Sequence, residues 1–325
     1  MPTTVGIIGA GQVVAQTHLP VLLAMPGARV QWIVDRDHRR AAALGRGLDV
    51  SVPKLPEDPG RLPDVDVVLL AVPYGARAEF YPVLARRGCA VYVEKPFARS
   101  LAEHDAWCAL FAPGRLGCGF FLRSLVSTVL LREIVRSKVF GSLRSARVEF
   151  GRPGTRGGTY QSDLELAGGG MLFDVAVHAL DLALHVCGSS AVKVSEVQMI
   201  KEEGFDVHTE AVADVTRGPS DPEVRLEILV SALRFTEMVN VYRFETADVG
   251  HALWGDRGLR VTPRASGVQG FTIASGRAGP TTSVQALHAH WSAFLGGLDQ
   301  GKCNHASAAD GRDTSALIEQ LYARS

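Results

Sequence analysis

Cysteine is scarce in this sequence, and its pattern argues against a disulfide framework and against a metal site. The 325 residues include five cysteines, an odd number, and no C-x-x-C pair. Several of the five lie within apolar runs, which favours reduced, buried thiols. The sequence also lacks H-E-x-x-H and G-x-S-x-G motifs and any cluster with zinc-like spacing. We therefore predict a protein without a metal centre.

Net charge and long hydrophobic runs are absent as well. Lysine plus arginine and aspartate plus glutamate number 34 each, so electrostatics gives no reason to expect nucleic acid or an anionic membrane as a partner. The segment after Met1 has neither the basic start nor the long apolar core of a secretion signal, and no later run approaches a membrane span. We therefore predict a cytoplasmic protein whose ligand is a small molecule.

What the sequence does contain is a change of pattern near residue 122. A chain of 325 residues exceeds the usual size of a single hydrophobic core, so two domains are expected. Over residues 1–122, short β-rich runs alternate with helical stretches, which predicts a doubly wound parallel sheet of the Rossmann type. Residues 123–325 contain long β-branched runs, which predict an α+β domain with a large, mostly antiparallel sheet. The runs predicted as its strands are 143–150, 192–200, 209–216, 223–231, 238–247 and 257–262.

A glycine-rich turn stands after the first predicted strand. The apolar run 5–8 leads into Gly9-Ala10-Gly11-Gln12-Val13, after which apolar residues recur at helical spacing. Gly9 permits a tight exit from the strand, and Gly11 lets backbone N–H groups approach a pyrophosphate at the helix N-terminus. Asp35, after the second predicted strand, can accept hydrogen bonds from both ribose hydroxyls of a dinucleotide. The alternative is that the glycines only form a turn and that Asp35 caps the next helix.

The same unit bears on the choice of cofactor. Asp35 would repel the 2′-phosphate of NADP, whereas Arg36 could contact that phosphate or stack on adenine. We predict NAD and leave NADP open. The predicted cofactor-binding residues are Gly9, Gly11, Gln12, Val13, Asp35, Arg36, Pro73, Tyr74, Glu94 and Lys95.

A charged tripeptide, Glu94-Lys95-Pro96, follows the apolar run 90–93. The proline ring fixes its own φ and restricts the residue before it, so the backbone of Lys95 is stiffened as it leaves the strand. Because the glycine turn, Asp35, Pro73-Tyr74 and this tripeptide all come just after strands, a parallel sheet would gather them at its carboxyl edge, where ligands bind. The alternative is a solvated turn with a local Glu-Lys pair.

A second polar motif lies in the predicted C-terminal domain. Gly168-Gly169-Gly170 precedes a stretch that is apolar almost all round when it is read as one helix. Asp174, His178, Asp181 and His185 would then form one narrow polar stripe at positions i, i+4, i+7 and i+11. A buried carboxylate beside an imidazole would stabilise the charged imidazole and orient the ring for acid–base chemistry. The alternative is a water-facing stripe on an ordinary amphipathic helix.

Taken together, the glycine turn, Glu94-Lys95-Pro96, and Gly168-Gly169-Gly170 followed by Asp174 and His178 resemble the Gfo/Idh/MocA oxidoreductases. The family is named after glucose–fructose oxidoreductase and inositol dehydrogenase, and the resemblance runs over nearly the whole length. It implies that Lys95 is the catalytic lysine and that Asp174 and His178 form the acid–base and substrate-orienting pair. It also implies that the C-terminal sheet is both a wall of the substrate domain and the interface of a homodimer or homotetramer.

The sequence departs from the family pattern at a few positions. Val14 stands where the third small residue of the glycine motif is usual, and Ala176 stands where glycine is common. Neither change removes a functional group, so the packing of the cofactor turn is affected more than the chemistry. The segment 121–124 lacks the arginine-aromatic pattern of many members, so substrate contacts there cannot be carried over. Arg123 and Tyr160 remain candidates for the substrate pocket.

The resemblance implies reversible hydride transfer between a nicotinamide and a ring secondary alcohol or ketone of a sugar, a polyol or a related metabolite. His178 would take or return the hydroxyl proton, Lys95 would donate a hydrogen bond to the same oxygen, and Asp174 would orient substrate and imidazole. Two alternatives stay open: an NADP-dependent ketosugar reductase of a biosynthetic route, and a non-catalytic regulator that senses NAD or a sugar. A pure sensor would need none of these three side chains.

Overall fold

The structure is a computed structural model that describes residues 1–154, 160–254, 258–264, 269–273, 282–301 and 307–325. The chain divides into two compact units. Unit 1 comprises Met1–Phe97, Ala102–Gly119 and Leu287–Asp310, and unit 2 comprises Ala98–Leu101, Phe120–Ala286 and Gly311–Ser325. The segment from Leu287 to Asp310 thus groups with the N-terminal unit. The division into domains at residues 122 and 123 stays a prediction.

Unit 1 contains five parallel strands: Thr3–Ile8 (β1), Ala28–Val34 (β2), Val67–Leu70 (β3), Ala90–Val93 (β4) and Leu116–Cys118 (β5). They pair in the order β2-β1-β3-β4-β5. Every residue of β3 and β4 is apolar or aromatic and buried, as expected for a parallel sheet that is covered on both faces. The order reverses between β1 and β3, and open α/β sheets bind ligands at such a switch point, at the carboxyl ends of the strands.

Helices connect the strands of unit 1, and unit 2 contains helices as well. A π-helical turn, Val14–His18, opens the first of them. Within the described residues, the α-helices are Leu19–Ala24 (α1), His38–Gly45 (α2), Phe80–Arg86 (α3), Leu101–Ala109 (α4), Val126–Ser137 (α5), Leu164–Ala167 (α6), Met171–Asp174 (α7), Val177–Cys187 (α8), Ser283–Gly297 (α9) and Arg312–Ala323 (α10). Short 3-10 turns span Pro59–Arg61, Tyr74–Ala76, Phe121–Ser124, Tyr160–Ser162, Leu298–Gln300 and Ala309–Gly311.

The predicted doubly wound sheet is confirmed, but its strands are numbered differently from the sequence-based expectation. The pattern of apolar runs predicts 90–93 as the fifth strand and 116–121 as the sixth. In the structure they are the fourth and fifth strands, β4 and β5, and β5 ends at Cys118. The tripeptide after β4 still stands at the carboxyl edge of the sheet.

Unit 2 contains an eight-stranded sheet within the described residues. The strands are Leu143–Gly151 (β6), Ala191–Glu202 (β7), Phe205–Thr216 (β8), Val224–Ser231 (β9), Val239–Thr246 (β10), Val249–Trp254 (β11), Leu259–Pro263 (β12) and Phe271–Ile273 (β13). They pair in the order β13-β12-β11-β10-β6-β9-β8-β7, and β6 and β9 are the one parallel pair among them. The prediction of a mostly antiparallel sheet is confirmed. The sequence pattern missed β11, whose residues Gly250 and His251 interrupt the β-branched run.

The long helix predicted after Gly170 is broken. α7 ends at Asp174 and α8 begins at Val177, so Asp174 does not share a helix with His178, Asp181 and His185. The single polar stripe predicted from the sequence is therefore wrong.

Among the described residues, no single helix is both long enough and apolar enough to span a membrane. The helical segments 164–174 and 177–187 meet these two criteria only when they are counted as one span, and a bend of 49° separates them.

His251 is a buried histidine whose protonation should weaken folding. It lies on β11 at 1% exposure, 5.8 Å from the ring of Phe140 between centroids, and neither ring nitrogen has a hydrogen-bond partner among the described residues. Burial lowers the pKa of His251 from 6.5 to about 4. Between these values the unfolded chain binds a proton that the folded chain does not bind. Stability should therefore fall as the pH is lowered from 6.5 to 4, by at most about 3 kcal/mol.

The contribution of His251 can be isolated by substitution. In a His251→Phe variant, the free energy of unfolding in urea should change less between pH 6.5 and pH 4 than it does in the wild type. His288→Phe, at an exposed position of α9, should retain the wild-type pH dependence. Equal pH dependence in the His251→Phe variant and the wild type would contradict this account.

Candidate active site

The glycine turn closes tightly against the neighbouring strand. Gly9 has φ +105°, and a Cβ there would lie 2.5 Å from the carbonyl oxygen of Ala71, which follows β3. Only glycine combines that backbone conformation with so close an approach. A Cβ at Gly11 would meet nothing within 4 Å. The turn therefore leaves open space at Gly11, next to the backbone N–H groups that begin the first helix.

Asp35 is held by the backbone of the same turn. One carboxylate oxygen accepts a hydrogen bond from the Ala10 N–H at 2.6 Å, and the other accepts from the Asp37 N–H at 2.8 Å. The N-cap of α2 is Asp37, which accepts from the Arg39 N–H at 3.0 Å, so the alternative in which Asp35 caps that helix is wrong. A carboxylate has about four acceptor sites, so Asp35 can accept further hydrogen bonds.

The other predicted cofactor residues of this region are more open. Gln12, Val13 and Arg36 are exposed, and the Gln12 side-chain amide lies 3.2 Å from that of Gln16. Pro73 and Tyr74 are half-buried where the chain leaves β3, and the Tyr74 hydroxyl donates to Glu103 on α4 at 2.6 Å. The switch point between β1 and β3 is thus bordered by residues that the sequence predicted for it.

Replacing Gly9 with alanine should weaken dinucleotide binding about 5- to 150-fold, because the left-handed φ and the contact with Ala71 store about 1–3 kcal/mol of strain in the turn. Quenching of tryptophan fluorescence by NADH measures the affinity. Gly27→Ala is a matched control, since a Cβ there meets nothing within 4 Å and Gly27 lies in a turn away from this edge. Wild-type affinity in the Gly9→Ala variant would show that the turn does not bind the dinucleotide.

Glu94 belongs to a series of buried hydrogen bonds that also includes His18 and Trp291. Its Oε1 lies 2.7 Å from Nε2 of His18, and the indole Nε1–H of Trp291 donates to Nδ1 of His18 at 3.0 Å. Because an indole N–H can only donate, Nδ1 of His18 accepts, and Nε2 carries the proton that is donated to Glu94. A Cβ at Gly119 would lie 2.7 Å from the same Glu94 oxygen, so glycine leaves room for the carboxylate.

The hydrogen bond from His18 to Glu94 decides whether the tripeptide is a solvated turn. Glu94 is 5% exposed and bonded to a core histidine, so the segment is not a solvated turn. Lys95 is half-buried, and the peptide bond that joins it to Pro96 is cis. His18 and Glu94 are 76 positions apart in the chain, so no motif in the sequence connects them. The 273 residues that separate His18 from Trp291 leave no local signal.

In unit 2, the two predicted acid–base residues lie on either side of the break between α7 and α8. Asp174 ends α7, and its Oδ2 accepts a hydrogen bond from the Gln161 side-chain amide at 2.6 Å. His178 lies in the first turn of α8, with its ring edge-on to Phe121 at 5.0 Å between centroids. Both side chains are half-buried. The break therefore places the two residues in different helices of unit 2.

The three glycines before α7 are required by packing. Gly168 has φ +78° and ends α6 in the left-handed conformation. A Cβ at Gly169 would lie 2.4 Å from the Tyr322 hydroxyl, and one at Gly170 would lie 2.2 Å from the Asp206 carbonyl oxygen. The motif thus allows the chain to pass closely over β8 and α10 before α7 begins.

Asp206 on β8 fixes the start of α7. Its carboxylate accepts from the backbone N–H groups of Gly170 at 2.7 Å and Leu172 at 2.6 Å, and from the Tyr322 hydroxyl at 2.5 Å. Burial, reinforced by the neighbouring Asp206 carboxylate, raises the pKa of Tyr322 far above its usual range, so the hydroxyl stays a donor. Because α7 has only four residues, this cap also sets the position of Asp174 at its other end.

Of the two candidate substrate residues, Arg123 and Tyr160, the structure describes the side chain of Arg123 alone. Arg123 is 2% exposed, and its Nε and Nη2 donate to the Asp181 carboxylate at 2.8 and 2.5 Å. Thr314 on α10 adds a hydrogen bond to the same carboxylate at 3.0 Å. Because the guanidinium of Arg123 is bound to the buried Asp181 carboxylate, we do not include Arg123 among the proposed substrate-binding residues. Tyr160 begins a 3-10 turn, and its side chain lies outside the described part of the chain.

No group of three or more histidine, cysteine, aspartate or glutamate side chains within the described residues is arranged to hold a metal ion. Cys89, Cys108, Cys118 and Cys187 are free thiols. Burial raises the pKa of Cys108 to about 11 and that of Cys187 to about 12, which keeps both thiols protonated. The fifth cysteine, Cys303, lies outside the described residues.

Two family models match the chain. Residues 3–114 match the model described as the NAD-binding Rossmann fold of an oxidoreductase family, GFO_IDH_MocA, and residues 128–218 match a GFO/IDH/MocA C-terminal domain. The chain belongs to the Gfo/Idh/MocA oxidoreductases. The resemblance drawn from the sequence motifs is therefore confirmed, and so is the assignment of the N-terminal region as a nicotinamide-dinucleotide Rossmann domain.

Curated relatives within the Gfo/Idh/MocA family carry names of sugar enzymes. The chain is 32% identical over 197 residues to D-glucoside 3-dehydrogenase of Escherichia coli (strain K12), an overlap of 59% of this chain and 56% of the relative. It is 28% identical over 189 residues to dTDP-3,4-didehydro-2,6-dideoxy-alpha-D-glucose 3-reductase of Streptomyces antibioticus, 56% of each chain. The chain thus spans little more than half the length of the curated relatives it matches.

Solved structures extend the likeness over the full chain at the level of the fold. KijD10, a 3-ketoreductase from Actinomadura kijaniata solved in complex with NADP and TDP-benzene, superposes with a TM-score of 0.82 over 99% of this chain and 98% of its own. The sequence identity is 18%, so this comparison establishes a shared fold alone.

The carboxyl edge of unit 1 fits the dinucleotide that a Gfo/Idh/MocA Rossmann domain holds. Gly9 makes the sharp turn, the space at Gly11 is open to a pyrophosphate, and Asp35 presents a fixed carboxylate at the end of β2. Val14 is fully buried, so the larger residue at the third motif position is accommodated in the core.

Proposed function

We propose that this chain is a nicotinamide-dependent oxidoreductase that transfers a hydride at a ring secondary alcohol or ketone of a sugar or polyol. The observation that carries the proposal is the Glu94-Lys95-Pro96 segment at the carboxyl edge of a family Rossmann sheet, with Glu94 fixed by His18 beside a half-buried lysine. The names of the two curated relatives make carbon 3 of a glucose-configured sugar the first position to test.

The proposed roles follow from the chemistry of alcohol oxidation. When bound, the nicotinamide supplies the hydride acceptor, or the donor in the reverse direction. His178 takes the hydroxyl proton as the C–H hydride departs, which leaves a carbonyl, and it returns that proton in reduction. Lys95 Nζ donates a hydrogen bond to the same oxygen and stabilises the developing negative charge. Asp174, which accepts from Gln161, orients the substrate and the imidazole.

We propose NAD as the preferred cofactor. The Asp35 carboxylate is held by the Ala10 and Asp37 N–H groups, so it cannot swing away from a 2′-phosphate without losing both hydrogen bonds. Like-charge repulsion then disfavours NADP. Fluorescence titration should give tighter binding of NADH than of NADPH, and Asp35→Asn should narrow that difference. Tighter binding of NADPH by the wild type would overturn the preference.

The decisive experiment assays the full chain with NAD or NADP and a panel of methyl glucosides, free hexoses and inositols. We expect the absorbance of reduced nicotinamide to grow with at least one of these substrates, and NMR of the product to locate the new carbonyl on the ring. Lys95→Ala should abolish most of the turnover although the variant still binds NADH. Lys193→Ala, at an exposed position of β7, is the matched control. Near wild-type turnover in both the Lys95→Ala and His178→Ala variants would refute the assignment.

A second candidate is an NADP-dependent reductase of a nucleotide-linked ketosugar, which the 28% identical relative from Streptomyces antibioticus favours by its name. NADPH oxidation with a dTDP-linked 3-ketosugar and not with simple sugars would support this candidate. No turnover across both panels, together with tight NAD binding and a recoverable protein partner, would instead support a non-catalytic sensor.

We also propose a cytoplasmic homo-oligomer assembled through the sheet of unit 2. A groove on the open face of β6, β9, β8 and β7 combines apolar and ion-paired side chains, as subunit interfaces do. Its lining includes Val197, Val212, Leu229 and the Arg147–Glu227 pair, which are 2.8 Å apart. Sedimentation of the full chain should give a dimer or tetramer, and Val212→Glu should shift it toward the monomer.

A further inference from the structure

One arginine of unit 1 binds the tripeptide that carries Lys95. Arg77 follows the 3-10 turn after β3 and is 3% exposed. Its guanidinium donates to the backbone carbonyl oxygens of Glu94 and Pro96 through Nη1 and to that of Lys95 through Nη2 at 3.3 Å. Nε donates to the carbonyl oxygen of Val72 at 3.0 Å. A single side chain therefore ties three consecutive carbonyls after β4 to the end of β3.

These three carbonyl groups follow Val93, the last residue of β4 that pairs with a neighbouring strand. The backbone N–H of Glu94 still bonds to Leu70 at 3.0 Å, as part of the ladder between β3 and β4. From Glu94 onward, the carbonyl groups of the tripeptide point to Arg77 instead of to a neighbouring strand. Arginine suits this task because its five donors are arranged in one rigid plane, whereas lysine offers one nitrogen on a flexible stem.

The charge of Arg77 is not neutralised by a carboxylate. Over the part of the chain that the structure describes, neutral carbonyl oxygens are its hydrogen-bond partners and no ion pair involves it. A buried cation of this kind is costly unless it is fully hydrogen-bonded, so its presence needs a reason at this place in the fold. Costs of this kind concentrate at sites where geometry matters for function.

We propose that Arg77 is a positioning residue: it fixes the backbone of Glu94-Lys95-Pro96 and thereby aims the Lys95 side chain. The inference rests on the proposed function, in which Lys95 donates to the reacting oxygen. Glu94 is held through its side chain by His18 and through its carbonyl by Arg77, so the residue before Lys95 is fixed from two sides. Removing Arg77 releases the backbone while the lysine stays present.

The test combines kinetics with hydrogen exchange on the full chain. For Arg77→Gln we expect kcat to fall about 10- to 100-fold, the loss that a displacement of about 1 Å produces, with little change in KM or in the affinity for NADH. Arg77→Lys, which keeps the charge, should not restore kcat. In the Lys95→Ala background, Arg77→Gln should cause no further loss, because the two residues act through one group. Amide exchange in peptides covering 94–100 should be faster in Arg77→Gln.

Arg87→Gln is the matched control, since Arg87 directly follows α3 and also donates to a backbone carbonyl, that of Pro59, and to Asp64. It should leave kcat and the exchange of 94–100 unchanged. Losses that multiply in the Arg77→Gln/Lys95→Ala double variant, or unchanged exchange in Arg77→Gln, would overturn the proposal. If Lys95→Ala alone keeps its turnover, the proposed function fails, and the exchange experiment still decides whether Arg77 holds the tripeptide.

Discussion

Replacing His178 with glutamine should lower kcat by about 10²- to 10⁴-fold, the range that general acid–base catalysis contributes. Glutamine keeps a polar side chain of similar size, so the contact with the Phe121 ring at 5.0 Å and the start of α8 are disturbed little. The amide cannot take up the hydroxyl proton, so the chemical step loses its base. Steady-state turnover at saturating NAD and substrate measures the loss.

The same helix offers a matched control for this prediction. His185 lies in the last turn of α8 and is half-buried like His178, so His185→Gln tests whether any histidine of the helix affects turnover. We expect its kcat to stay close to that of the wild type. Equal losses of kcat in His178→Gln and His185→Gln would show that His178 is not the specific base.

Replacing Asp181 with alanine should destabilise unit 2 by about 3–5 kcal/mol, the cost of leaving one partner of a buried ion pair without the other. Asp181 and Arg123 are each 2% exposed, and two hydrogen bonds join them. Alanine leaves the guanidinium in the interior without its carboxylate, and Thr314 loses its acceptor as well. Urea unfolding followed by circular dichroism measures the change in the free energy of unfolding.

Two further variants separate the ion pair from simple loss of packing. In Arg123→Met/Asp181→Leu both charges are replaced by apolar groups, so most of the stability should return. Glu133→Ala breaks the exposed pair with Arg136 on α5 and should have little effect, because solvent screens exposed charges. If Asp181→Ala were no less stable than Glu133→Ala, the pair would not be a structural element of unit 2.

The motifs that could be read from the sequence are those whose chemistry depends on adjacent residues. The glycine turn, Asp35 after β2 and Glu94-Lys95-Pro96 after β4 each depend on a strand ending at a fixed place, and apolar runs reveal where strands end. The family assignment followed because these short motifs occur together in one chain.

The unit 2 site was less accessible to the same reasoning. Periodicity indicated one helix through Asp174 and His178, but α7 ends at Asp174, and Asp206 on a distant strand fixes its beginning. Helical periodicity tolerates such a break, because residues on both sides remain apolar and buried. Asp181, predicted as part of a polar stripe, proved to be the partner of Arg123.

The sequence by itself determined the class of the fold and the residues that stand at the carboxyl edge of the first sheet. Only the tertiary structure decided which buried polar groups form hydrogen bonds with each other. Arg77 binds the carbonyl groups of the tripeptide, His18 lies between Glu94 and Trp291, and Arg123 binds Asp181. The physical reason is that hydrophobic patterns report local conformation and burial, whereas the partner of a buried polar group depends on strand order and helix packing. Those contacts join residues that are tens to hundreds of positions apart, and no local pattern records them.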